Sequence, residues 1–68
     1  FVITGCCTDI CVMQFALSLR TYLNEMGVDK DVIVPRDAVA TYDAPNHEPG
    51  YYDECALSLM QNAGILVV

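Results

Sequence analysis

Sixty-eight residues make at most one small domain, and a chain this short buries only about 60% of its unfolded surface. Yet 54% of the residues are hydrophobic, more than a self-covering domain of this size needs, so part of the apolar surface is expected to be covered by something else. Nine acidic side chains against three basic ones give a net charge of -6, which repels phosphate backbones and anionic headgroups and argues against nucleic acid and membranes as partners.

No apolar run approaches the ~20 residues of a membrane span, so the cytoplasm is the expected location. The four cysteines are read as reduced thiols, because disulfide scaffolds are loop-rich and polar whereas this chain has long apolar-periodic segments. The chain opens and closes in strand-like runs, and it is expected to be the C-terminal part of a larger α/β protein. The apolar surplus also favours a homo-oligomer.

In chain order, residues 1 to 5 are mostly apolar, which predicts a strand buried on both faces and ended by Gly5. Val12, Phe15, Ala16, Leu19, Leu23 and Met26 recur at helical spacing, and Gly27 is a natural stop. Asp31 to Pro35 is a β-branched run that predicts a second strand. Thr41 to Gly50 holds Pro45, Asn46, Pro49 and Gly50, a density of breakers that marks a loop and the segment most open to motion. Tyr52, Cys55, Ala56, Leu59, Met60 and Ala63 then fall on one face of a second helix, stopped at Gly64 and followed by a strand from Ile65 to Val68. The order β-α-β-α-β implies an α/β fold with parallel strands joined by right-handed crossovers.

In such sheets ligands bind outside the carboxyl ends of the strands, which is where the loop from Cys6 to Ile10 lies. Cys11 is placed in the first turn of the helix that follows, where unpaired amides and the positive end of the helix dipole favour a thiolate over a thiol. Only the ionised form attacks a carbonyl carbon well at neutral pH. Thr8 and Asp9 read as helix caps that stiffen this turn, Cys6 and Cys7 as small residues with backbone roles, and Cys55 as inert packing. Asp37 reads as a brace for the loop after the second strand. His47, a lone imidazole in a polar loop, reads as solvated.

The run Ile3-Thr4-Gly5-Cys6-Cys7-Thr8-Asp9-Ile10-Cys11-Val12 resembles the nucleophile loop of the isochorismatase-like cysteine hydrolases, which include nicotinamidases, N-carbamoylsarcosine amidohydrolase and isochorismatase. The match is a glycine, two small residues, Thr-Asp, one variable residue and Cys-Val. Val32-Ile33-Val34-Pro35-Arg36-Asp37-Ala38 is similar to the strand and Asp-Ala step that follow in the family.

The resemblance implies a three-layer α/β/α, Rossmann-like domain with a parallel sheet, of which residues 1–68 are the C-terminal portion. It implies that Cys11 forms an acyl-enzyme with a small amide substrate, and that the backbone N–H groups of Cys7 and Cys11 hold the oxyanion. It further implies a cis peptide bond between Cys6 and Cys7. The family's catalytic aspartate and lysine lie earlier than any residue here, and Asp9, Lys30 and Asp37 do not match them in motif order, so the N-terminal part would supply both. Nicotinamidase metal ligands also precede this loop. No cofactor or metal is therefore expected on these residues, and a divalent metal belongs to the intact protein only if it is of the nicotinamidase type. Relatives that cleave carbamoyl or ureido amides or isochorismate are the alternative, as is a non-catalytic interaction module of the same fold.

Overall fold

The computed structural model describes all 68 residues. A first strand segment bridges Val2 to Ile33 and ends in β1 (Gly5–Cys6). A π-helical turn, Thr8–Val12, then runs without a break into α1 (Met13–Met26). After these come β2 (Ile33–Val34), a 3-10 turn at Arg36–Ala38, β3 (Val39–Ala40), α2 (Pro49–Asn62) and β4 (Leu66–Val67).

The strands pair in parallel, β1 with β3 and β2 with β4. Ile33 is bonded on one side to Phe1 and Ile3, each at 2.8 Å, while the Leu66 amide donates to the Val32 carbonyl at 2.9 Å. The second strand is therefore central, with the first strand and β4 on its two sides. Beyond the 3-10 turn, β3 carries the chain on and pairs with the far end of the first strand. The β-α-β-α-β order and the parallel pairing agree with the sequence reading, although each ladder is only two residues long. Gly5 does not end the first strand: it sits within it at φ 121°, a conformation open to glycine and rare for other residues, and the ladder continues to Cys6.

Both crossovers step across the sheet in the same direction, so right-handed connections put α1 and α2 on the same face. There Val32, Val34 and Ile65 meet Ala16 and Leu23 of α1 and Ala56, Leu57 and Met60 of α2 in one core. The alternate strand residues point the other way, and Val2 and Leu66 are 61% and 48% exposed. These residues thus form two layers, helices on a sheet. The first strand, expected to be buried on both faces, covers only Ile3 in part.

The helices also carry more apolar residues than the core takes up. On α2 the buried face is Ala56, Leu57 and Met60, while Leu59, expected inside, is 56% exposed. Phe15 and Met26 of α1 are likewise exposed. The caps follow local chemistry. Gly27 closes α1 in the left-handed conformation at φ 69°, and the Val28 amide reaches back to the Leu23 carbonyl at 3.0 Å. The Glu48 carboxylate accepts the Tyr51 amide at 2.8 Å to open α2, with Pro49 in the first turn, where a missing N–H costs nothing. No helix is long and apolar enough to cross a membrane.

Candidate functional site

Two connections converge at the carboxyl edge of the sheet: the turn after β1, which carries Cys11, and the loop after β3, which carries His47. In the first, the Cys7 carbonyl accepts from the amides of both Ile10 and Val12, each at 3.1 Å. The second bond spans five residues and winds the turn as a π-helix, a form found disproportionately at functional sites. Cys7 occupies the N-cap position in an extended conformation without a side-chain cap bond.

Neither Thr8 nor Asp9 acts as the expected cap. The Ile10 amide is already held by the Cys7 carbonyl, so no side chain is needed there. Thr8 is fully buried with its hydroxyl unpartnered, and the Asp9 carboxylate turns sideways to the second loop. Asp37 stands exposed in the 3-10 turn and makes no side-chain hydrogen bond, so it braces nothing.

All four cysteines are free thiols; Cys6 and Cys11 are exposed, and Cys7 and Cys55 are half-buried. The Cys6–Cys7 peptide bond is cis. The Cys7 amide makes no backbone hydrogen bond, so a donor is left open within the turn that carries Cys11. Beside this turn lies a cavity of about 350 Å³, walled by Asp9, Met13, Tyr52, Cys55 and Leu59 among others. Cys11 is not among its walls. Its thiol lies instead on open surface.

His47 departs most from the sequence reading. In place of a solvated ring, the structure holds an imidazole between Tyr42 and Tyr52, with centroids 4.1 and 4.4 Å away and both pairs within 8° of parallel. Its side chain is 13% exposed. Nδ1 lies 2.7 Å from the Tyr42 carbonyl and Nε2 lies 2.8 Å from an Asp9 carboxylate oxygen. Both partners are acceptors, so the two contacts are hydrogen bonds together only when both ring nitrogens carry protons. The other Asp9 oxygen accepts from the Thr41 hydroxyl at 2.6 Å.

The local cause is the Pro45-Asn46 pair. Proline fixes the first corner of a turn, Asn46 takes φ 63° at the second, and the chain folds back so that Ala44 and His47 bridge at 2.9 and 3.2 Å. The pair was visible as a turn signal. The ring sandwich it builds was not, because Tyr52 comes from α2 and Asp9 lies 38 positions away in the chain.

The titration of the pair follows from these contacts. The hydrogen bond to Asp9 raises the His47 pKa above its ordinary 6.5; burial opposes this, and the Tyr42 carbonyl adds to it. Burial pushes Asp9 upward, but the bonds from Thr41, His47 and its own backbone outweigh that and hold it below 3.8. With Asp9 low, its contribution to stability is present above 3.8 and lost as pH falls through the depressed value. With His47 high, its contribution is complete below 6.5 and lost as pH rises through the raised value. The pair therefore stabilises most between those two ordinary values.

No three His, Cys, Asp or Glu side chains gather to hold a metal ion, and of the His47 ring nitrogens Nε2 faces Asp9 and Nδ1 faces the Tyr42 carbonyl. No curated protein and no solved structure matches the chain. The model of the isochorismatase domain matches residues 1–54, which takes in both strand-to-loop connections with Cys11 and His47. With a parallel α/β arrangement and this loop at its carboxyl edge, the chain belongs to the isochorismatase domain family, a family of hydrolases.

Proposed function

We propose that the protein is a cysteine hydrolase that cleaves a small amide of the nicotinamide type, with Cys11 as its nucleophile. The observation that carries this reading is the placement of an exposed Cys11 in the helical turn after a parallel strand, with the Cys7 amide left without a backbone partner beside it. An N–H free of other bonds is what a developing oxyanion requires.

In this reaction the Cys11 thiol gives its proton to a base and the sulfur attacks the amide carbonyl carbon. The oxyanion is held by the amides of Cys7 and Cys11. The C–N bond then breaks, the proton leaves with ammonia, and water releases the acid from the thioester. The aspartate that takes the proton and the lysine beside it come from outside these 68 residues, so the fragment alone is inactive. Cys6 contributes only backbone to the loop. Thr8 and Asp9 support the turn by burial and by the bonds to Thr41 and His47.

The test is ammonia release by the intact protein from nicotinamide and from N-carbamoyl and ureido amides, with and without Cys11→Ala. The substitution is expected to lower turnover by roughly a thousandfold or more, as for other covalent nucleophiles. Unchanged amide hydrolysis in Cys11→Ala overturns the assignment, and hydrolysis confined to carbamoyl or ureido substrates replaces the substrate class while keeping the nucleophile.

A further inference from the structure

The loop from Thr41 to His47 reaches Asp9 with two separate bonds, and Asp9 stands two residues before Cys11 in a single tight turn. A surface histidine needs none of this. Two tyrosine faces enclose the ring, one from its own loop and one from α2, and each ring nitrogen points at an acceptor. The Tyr52 hydroxyl also bonds the Asn46 carbonyl at 3.3 Å and ties α2 to the turn that presents the ring.

We propose that His47 is a positioning residue: as an imidazolium held between Tyr42 and Tyr52, it fixes Asp9 and, through Asp9, the turn that presents Cys11. The proposal rests on Cys11 being the nucleophile. A neutral ring does not do the same work. One tautomer leaves a lone pair of Nε2 facing the Asp9 carboxylate, and the other leaves a lone pair of Nδ1 facing the Tyr42 carbonyl, so either way one of the two contacts turns repulsive. One of the two bonds that join the loop to the turn of Cys11 therefore depends on a proton, while the Thr41 bond does not.

The ionisable groups against the ring are Asp9 from the π-helical turn, Tyr42 from the loop and Tyr52 from α2. Glu48, next in the chain, is committed to the Tyr51 amide. Asp9 is thus the one carboxylate that bonds the imidazolium, and the contact is a charge-assisted bond in a largely shielded site.

The experiment has two readouts in the intact protein. ¹⁵N NMR of the unsubstituted protein at pH 6 is expected to show both His47 nitrogens protonated, with a titration midpoint above 6.5 that returns to the ordinary range in Asp9→Asn. A ring titrating at its ordinary value overturns the clamp and leaves the Cys11 assignment standing. Site-resolved iodoacetamide labelling of Cys11 then compares the unsubstituted protein with His47→Gln across pH. The ratio of the two rates cancels the thiol's own titration. It is expected to be about tenfold in favour of the unsubstituted protein below the His47 midpoint, the size of one charged hydrogen bond, and to fall to one above it.

A ratio that stays constant across that midpoint makes His47 a structural residue only and overturns the positioning role. If His47→Gln does not fold, Tyr52→Phe replaces it. That variant keeps the stacking ring and loses the bond to Asn46, so the ratio must still fall to one above the same midpoint, and a flat ratio again overturns the role. Amide hydrolysis unchanged in Cys11→Ala, with the NMR result intact, removes the nucleophile assignment and leaves the clamp.

Discussion

Cys11 and His47 stand at the same edge of the sheet and are treated in opposite ways. Cys11 is exposed, in a turn held by backbone bonds to the Cys7 carbonyl. The imidazole is closed between two aromatic faces with both nitrogens engaged. The contrast is what the proposed roles require: a group that braces the site is enclosed, and a group that attacks a substrate is left open.

Several substitutions break or sharpen that contrast. The largest effect is expected at the open residue: Cys11→Ala removes activity by three or more orders of magnitude, as ammonia release will show, while thermal unfolding stays close to that of the unsubstituted protein because an exposed thiol packs against little. Next comes the shared core beneath both loops. Leu57→Ala empties a fully buried position and is expected to cost about 3 kcal/mol by denaturant unfolding, whereas Leu59→Ala, two residues on and more than half exposed, costs about 0.5 kcal/mol or less. Equal losses at the two positions would mean that α2 is rotated from the face described.

Thr41→Val takes one donor from Asp9 and is expected to cost about 1 kcal/mol, with the Asp9 titration, followed by carboxylate NMR, moving up toward its ordinary value. An unmoved Asp9 would detach the loop from the nucleophile turn. The smallest effect belongs to the exposed Arg36–Glu54 pair. Although its contact is 2.8 Å, both side chains are solvated, so Arg36→Ala is expected to change unfolding by less than about 0.5 kcal/mol. Across pH, the stabilising effect of the Asp9–His47 pair, measured as the difference in unfolding between the unsubstituted protein and His47→Gln, is expected to be greatest between 3.8 and 6.5 and to decline on either side.

The same two regions mark what a sequence discloses. The nucleophile turn is written in consecutive residues: Gly5, two small residues, Thr8-Asp9, then Cys11-Val12 after an apolar run, and the strand, the helix and the family all follow from it. The β-α-β-α-β order was legible for the same reason, since periodicity and the stops at Gly27 and Gly64 are local. The helix faces were less so. Tyr51, Cys55 and Leu59 continue the apolar character of α2 past the stripe that packs, and no spacing rule says which of two adjacent apolar strips meets the sheet.

Nor did local chemistry decide the role of Asp9. A carboxylate at the start of a helix is ordinarily a cap, but here the backbone of Cys7 satisfies the turn and releases the side chain to Thr41 and His47. His47 required three elements to meet, and only the Pro45-Asn46 turn among their causes is local. Both helices lie on one face for a topological reason: two crossovers of one hand, stepping one way, do not cover both faces.

The central claim is that Cys11 forms a covalent bond with the substrate carbonyl. Mass spectrometry of the intact protein, quenched during turnover of the amide it hydrolyses, tests this most directly. The account predicts an acyl adduct on the peptide that carries Cys11, absent from Cys11→Ala together with the release of ammonia. Ammonia released at the full rate by Cys11→Ala, with no adduct on Cys11 in the unsubstituted protein, would contradict it.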